Sequence, residues 1–169
     1  GARVGKAQAR IAAMLLLTLR GTPTIYYGDE LGLTDVPIPP KVVQDRWEKN
    51  EPGFSRGRDP ARTPMPWDHS MNAGFTTGTP WLPLNDDYQI RNVTACSADQ
   101  GSILNLYRRL IGLRRTHPEL CFGRFATVYA DPDLLAFERS HGDVRWLIVL
   151  NFVHEQRQFH LPPGFPSAL

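Results

Sequence analysis

Two pairs of adjacent acids, Asp29–Glu30 and Asp86–Asp87, are the carboxyl groups whose spacing first suggests acid–base chemistry. Such chemistry needs carboxyls that face one reacting centre. Neighbouring residues on a strand point to opposite faces, so Asp29 and Glu30 do not make a facing pair. Asp86 and Asp87 sit in a polar turn and read as solvated; Glu30 reads as a buried acid with a structural partner. The segment Gly57-Arg58-Asp59-Pro60-Ala61-Arg62 offers different chemistry. A planar guanidinium donates two bonds to neighbouring hydroxyls or to a carboxylate, which a lysine does less well. The alternative for these arginines is a salt bridge to Asp59 or Asp68 that orders the surrounding chain. The residues alone leave both readings open.

Arg108, Arg109, Arg114 and Arg115 fall within one helical stretch. A phosphate-binding stripe is conceivable, but a solvated helix face is the better reading, with Arg114 and Arg115 favourable at the negative end of the helix dipole. Cys96 and Cys121 have neither metal-ligand spacing nor a disulfide framework around them. They are expected to be reduced and part-buried, the alternative being a single bridge in an exported protein.

Several elements must position these groups. Lys6 to Arg20 is rich in good helix formers and apolar on nearly every side, so it should pack on more than one face. Gly21 is a plausible cap and Pro23 forbids continuation. Thr22 to Tyr27 then reads as a short strand, half of a βαβ unit whose partner strands lie elsewhere. From Gly28 to about Gly101 prolines interrupt every pattern. Disorder would expose Trp47, Phe54, Trp67, Phe75, Trp81 and Tyr88, so the expectation is an ordered, functional loop over 28–101, pinned by its aromatics. Ser102 should cap an amphipathic helix from Ile103 to about Thr116. Beyond Glu119 the period becomes two. Strands are expected over Phe125–Ala130, Leu134–Arg139, Arg145–Phe152 and Gln156–Leu161, with the nearly continuous apolar run Trp146–Phe152 in a central place.

Composition bounds the class. With 41% hydrophobic residues the chain can bury a core, and a formal charge of +2 gives no basic face for nucleic acid. No apolar run reaches the roughly 18–20 residues of a membrane span. The expected compartment is the cytoplasm, with export open.

Four ordered motifs resemble one family. Arg20-Gly-Thr-Pro-Thr-Ile-Tyr-Tyr-Gly-Asp-Glu-Leu-Gly32 resembles the eighth barrel strand of the α-amylase superfamily. Gly57-Arg-Asp-Pro-Ala-Arg-Thr-Pro-Met-Pro-Trp-Asp68, with Asn72-Ala-Gly-Phe75, is similar to the signature of its α-glucosidase, oligo-1,6-glucosidase and trehalose-synthase branch. Trp81-Leu-Pro-Leu84 with Tyr88 and Asn92-Val93, and Asn105 through His117-Pro118, complete the likeness. Two positions depart from the family pattern: Pro66 stands where glutamine is common, and Arg46 follows Gln44-Asp45 where proline is common.

The resemblance implies an α/β plus β architecture: the last part of a (β/α)8 TIM barrel, with its seventh helix, eighth strand and eighth helix, then the start of an antiparallel β-sandwich C-terminal domain. Residues 1–119 would end the barrel and 120–169 would open the β-domain. It also implies an α-glucosidase acting on a small α-glucoside or a malto- or isomalto-oligosaccharide, with no cofactor or metal assigned. The alternatives are a trehalose synthase or isomaltulose-forming relative, an amylase-like transporter heavy chain, and a free-standing sugar-binding domain. In such enzymes the nucleophile, acid/base and supporting aspartate come from earlier strands. No residue of this sequence is therefore assigned a catalytic role, and the segment alone is expected to be inactive. The arginine before the threonine-proline-methionine run reaches the terminal glucose in the family. Arg62 holds that position, and Arg58 is the second candidate for substrate binding.

Overall fold

The computed structural model describes residues 5–54 and 57–165. They form two compact units, one comprising 25–107 and the other 5–24 with 108–165.

The second unit contains helix α1 (Lys6–Thr18), the short helix α5 (Pro118–Cys121) and three strands, β1 (Arg124–Ala130), β2 (Leu134–His141) and β3 (Val144–Asn151). The sheet is antiparallel in the order β1-β2-β3. Its register pairs Thr127 with Phe137 and Phe137 with Ile148, and a bulge lies between Thr127 and Tyr129. Local turn chemistry sets both hairpins. Asp131 Oδ1 accepts the Asp133 and Leu134 N–H groups at 2.8 and 2.7 Å. Gly142, at φ 58°, supplies the left-handed residue that the turn before Val144 requires. Leu120, Phe137, Ile148 and Leu150 form the buried centre, and Ile11, Met14, Leu15 and Leu19 pack on it. That packing uses one face of α1; Ala13 and Leu17, on the opposite face, are buried as well.

Three expectations need correction here. The central strand is β2, not the Trp146–Phe152 run, because Gln156–Leu161 forms no strand to cover the outer edge of β3. Thr22–Tyr27 has no ladder partner among the described residues, and without neighbours a short β-branched run forms no strand. Helix α1 stops at Thr18, two residues before Arg20.

Its ending involves an arginine that the sequence reading placed in solvent. Arg114 is buried and donates from Nη1 to the carbonyls of Leu17 and Leu19 at 2.9 and 3.0 Å, and from Nη2 to that of Gly21. The last carbonyls of a helix lack intrahelical donors, and this guanidinium meets them. Arg114 lies on the buried stripe of α4 (Ile103–Thr116), whereas Arg108, Arg109 and Arg115 are exposed as anticipated. Both cysteines are half-buried and unbridged.

The unit of residues 25–107 has no strand among its described residues. The 28–101 stretch resolves into α2 (Arg46–Asn50), α3 (Val93–Ala98) and four 3-10 turns at Asp29–Leu31, Pro40–Val42, Asp59–Ala61 and Met71–Gly74. It is ordered, but not by its aromatics: Trp47, Phe54, Trp67, Phe75 and Trp81 are all exposed. Buried and half-buried polar side chains that bind backbone, near in the chain or far, hold it instead. Asn85 donates to the Thr34 carbonyl at 3.0 Å. Arg91 donates to the Gly32 carbonyl while pairing with Asp87. Asn92 caps α3 through the Ala95 N–H at 2.8 Å and donates to Tyr88 and Gln89. A coil with few internal hydrogen bonds must satisfy its backbone this way.

Candidate functional site

Asp59 organises the arginine motif. It begins a 3-10 turn with Pro60 behind it, and is 5% exposed. Its Oδ2 accepts the N–H groups of Gln44 and Asp45 at 2.5 and 2.8 Å. The Pro60 carbonyl accepts from Val36 N–H at 3.0 Å, so the turn is tied to two other stretches of chain. Asp45 in turn caps α2 by accepting from Trp47 N–H at 2.9 Å. Arg46 thereby occupies the first helical position, where the family's proline would fit equally well. The Trp47 N–H holds the Asp45 carboxyl below its usual range; burial opposes this, and the Arg58 N–H and guanidinium add to it.

With the Asp59 carboxylate removed, two enclosed N–H groups lose their acceptor. Asp59→Ala is expected to destabilise the loop by about 2–3 kcal/mol, whereas Asp59→Asn should keep most of the bonding. Limited proteolysis reads the difference: cleavage within 40–62 should quicken for the alanine variant and stay near wild type for asparagine.

Neither candidate arginine makes the salt bridge to Asp59 or Asp68 weighed from the sequence. Asp68 accepts from Ser70 N–H and Oγ–H instead. Arg58 sets its Nε 3.5 Å from Asp45 Oδ2, with most of its side chain in solvent. Arg62, also exposed, donates from Nε to the Tyr26 hydroxyl at 3.2 Å. No other polar partner for its guanidinium occurs among the described residues. The next residue is anchored too, because the Tyr27 hydroxyl donates to the Thr63 carbonyl at 3.1 Å. Sequence reasoning missed Tyr26 and Tyr27 as members of this group. The signal was present as a tandem of tyrosines, but nothing local linked it to residues 36 positions away.

The paired acids close local turns. Asp29 Oδ2 accepts from Tyr26 N–H at 3.1 Å, and Glu30 Oε2 from Gly28 N–H at 2.9 Å. Glu30 is half-buried rather than buried, and its partner is its own turn. Asp87 pairs with Arg91, and Asp86 is exposed.

Beyond Arg62, the chain runs through Thr63, Pro64 and Pro66, all buried, to a second fixed point. The N–H groups of Trp67 and Asp68 share the Ala73 carbonyl at 2.8 and 3.3 Å, and the Trp67 carbonyl accepts from Thr94 N–H at 3.0 Å. Asn72 and Ala73 are left-handed at φ 55° and 57°, an uncommon state for residues with a Cβ. Asn72 Nδ2 steadies the turn by donating to Thr76 and Gly78 carbonyls at 3.1 and 2.7 Å. Gly74 must be glycine, since a Cβ there would lie 2.8 Å from both Asp68 carboxylate oxygens. Pro66 replaces the family's glutamine without loss of an anchor, because its carbonyl accepts from Val93 N–H at 3.0 Å.

Comparison with known proteins places this geometry in context. A family model described as the alpha amylase catalytic domain matches residues 2–123. The chain is 35% identical over 173 residues to an oligo-1,6-glucosidase of Parageobacillus thermoglucosidasius, covering 91% of this chain and 31% of that protein. It is 36% identical to a glucan 1,6-alpha-glucosidase of Streptococcus pneumoniae serotype 4, covering 95% and 33%. Among solved structures, the trehalulose synthase of Pseudomonas mesoacidophila MX-45 superposes with a TM-score of 0.83 at 36% identity, covering 94% of this chain and 32% of that one. The chain therefore spans about a third of the length of these relatives.

Proposed function

Because the chain belongs to the alpha-amylase catalytic-domain family, we propose that it forms part of an α-glucosidase. The enzyme would release terminal α-linked glucose from short oligosaccharides with retention of configuration. This segment supplies a substrate-binding loop and scaffold, and the reacting carboxylates come from the rest of the polypeptide. Residues 1–119 end the barrel, with α1 as its seventh helix, α4 as its eighth helix, and Thr22–Tyr27, which forms no ladder among the described residues, at the place of the eighth strand. Residues 120–169 open the C-terminal β-domain. The substrate is a small α-glucoside; no nucleic-acid or membrane partner is proposed, and no helix among the described residues is long and apolar enough to cross a membrane. The cytoplasm remains the proposed compartment.

The observation that carries this reading is Arg62. Its guanidinium is anchored at Nε, and among the described residues its terminal nitrogens have no protein acceptor. Such a fork suits two adjacent sugar hydroxyls, or one hydroxyl and a carboxylate of the site. The motif containing it matches the position that reaches terminal glucose in the resembling family. Arg58 is the second binding candidate; its Nε faces Asp45, so its proposed contribution to the sugar is the smaller.

A transglycosidase is the second reading, favoured by the likeness to the trehalulose synthase. Product analysis separates the two. The full-length polypeptide, incubated with isomaltose and separately with sucrose, should release free glucose from isomaltose, first as the α-anomer. Conversion of sucrose mainly to an isomeric disaccharide would favour the second reading. Turnover of neither sugar, nor of maltose, would overturn both.

A further inference from the structure

We infer that Tyr26 is a positioning residue for the Arg62 guanidinium, and that Tyr27 fixes the backbone beside it. The two tyrosines thus form a two-point clamp that aims one binding fork. This rests on the proposed role of Arg62 and adds to it the residue that directs it. Two consecutive side chains, 26 and 27, reach two consecutive residues, 62 and 63, each across 36 positions. Their rings lie beside one another, with centroids 5.2 Å apart and planes inclined by 33°. Tyr27 takes the main-chain point, its hydroxyl donating to the Thr63 carbonyl at 3.1 Å. Burial, with Tyr26 adding and Arg62 opposing, pushes that hydroxyl above its ordinary pKa. Tyr26 takes the side-chain point.

The geometry of the guanidinium gives this contact its consequence. The fork is planar, and its Nε–H lies on one side of the plane's long axis. A bond to Nε therefore limits rotation about the last side-chain torsion and directs the edge formed by Nη1 and Nη2. An exposed arginine otherwise holds much rotamer freedom, which ligand binding must remove. Anchoring at Nε removes part of it beforehand, without using the nitrogens that recognise the sugar.

A double-mutant cycle in the full-length polypeptide tests the inference, with an aryl α-glucoside as substrate. Tyr26→Phe keeps the ring and deletes the hydroxyl, and it should lower kcat/KM about tenfold. In the Arg62→Ala background the same change should alter kcat/KM less than about twofold, because there is no fork left to aim. Tyr27→Phe should instead lower the melting temperature and act by a similar factor in both backgrounds. If Tyr26→Phe is equally costly with and without Arg62, or costs under twofold in the wild-type background, the positioning role is overturned while Arg62 remains a binding residue. If Arg62→Ala itself costs under fivefold, the underlying assignment fails instead.

Discussion

Replacing Arg62 by alanine in the full-length polypeptide is expected to lower kcat/KM for an aryl α-glucoside at least about thirtyfold. The magnitude follows from what truncation leaves behind. Sugar hydroxyls that exchanged water for a charged donor would sit in the site with no partner, and an unmet polar group costs more than a formed bond contributes. Removal of the guanidinium also leaves the Tyr26 hydroxyl without its present donor. Arg62→Lys should fall between wild type and alanine, since an ammonium keeps the charge but cannot present a planar fork. Arg58→Ala should stay within about fivefold, because that guanidinium already faces Asp45 and lies mostly in solvent. Steady-state kinetics on the three variants gives the ranking. A loss below fivefold for Arg62→Ala removes it from the sugar site, and a larger loss for Arg58 than for Arg62 reverses the assignment.

Legibility in the sequence divides by distance along the chain. Helix α4 was readable to the residue because its signals are local: Ser102 Oγ accepts from Asn105 N–H at 3.1 Å, and the apolar stripe runs without interruption. The hairpins were readable for the same reason, since Asp131 and Gly142 set their turns from within. What failed was non-local. Arg114 finds its acceptors 93 to 97 residues away, and its neighbours Arg108, Arg109 and Arg115 do lie at the surface as composition suggests. The aromatics of the long loop suggested an apolar anchor, but Asp59, Asn85 and Arg91 do the long-range holding, and polar residues in a sequence do not announce which backbone they will meet. The site shows the same division. Resemblance singled out Arg62 as a candidate from its flanking motif, while Tyr26 joined the candidate site only when a fold brought positions 26 and 62 together.

Arg139 carries that lesson furthest, and its loss should be the costliest to stability. It was read as the end of a strand, yet β2 runs two residues past it and it is fully buried. Nη1 donates to the Thr18 carbonyl at 2.6 Å, Nη2 to Gly123 at 3.2 Å and Nε to Arg124 at 3.4 Å. No carboxylate pairs with it among the described residues. Burial pushes its pKa below the ordinary arginine range, and the charges of Arg114 and Arg20 push it the same way. Three carbonyl dipoles, one from the end of α1 and two from the start of β1, thus hold this cation against desolvation. Arg139→Ala would remove the donor from all three and open a cavity, and should destabilise the protein by about 3–5 kcal/mol. Arg139→Met refills the volume but leaves the carbonyls unmet, so it should recover only part of that loss. Thermal unfolding of the full-length polypeptide should show a melting temperature lower by about 3 °C or more for alanine, with methionine between it and wild type. An alanine variant melting within about 2 °C of wild type would mean that water or rearranged chain replaces the guanidinium at little cost. The three carbonyls would then not be what ties α1 to the sheet.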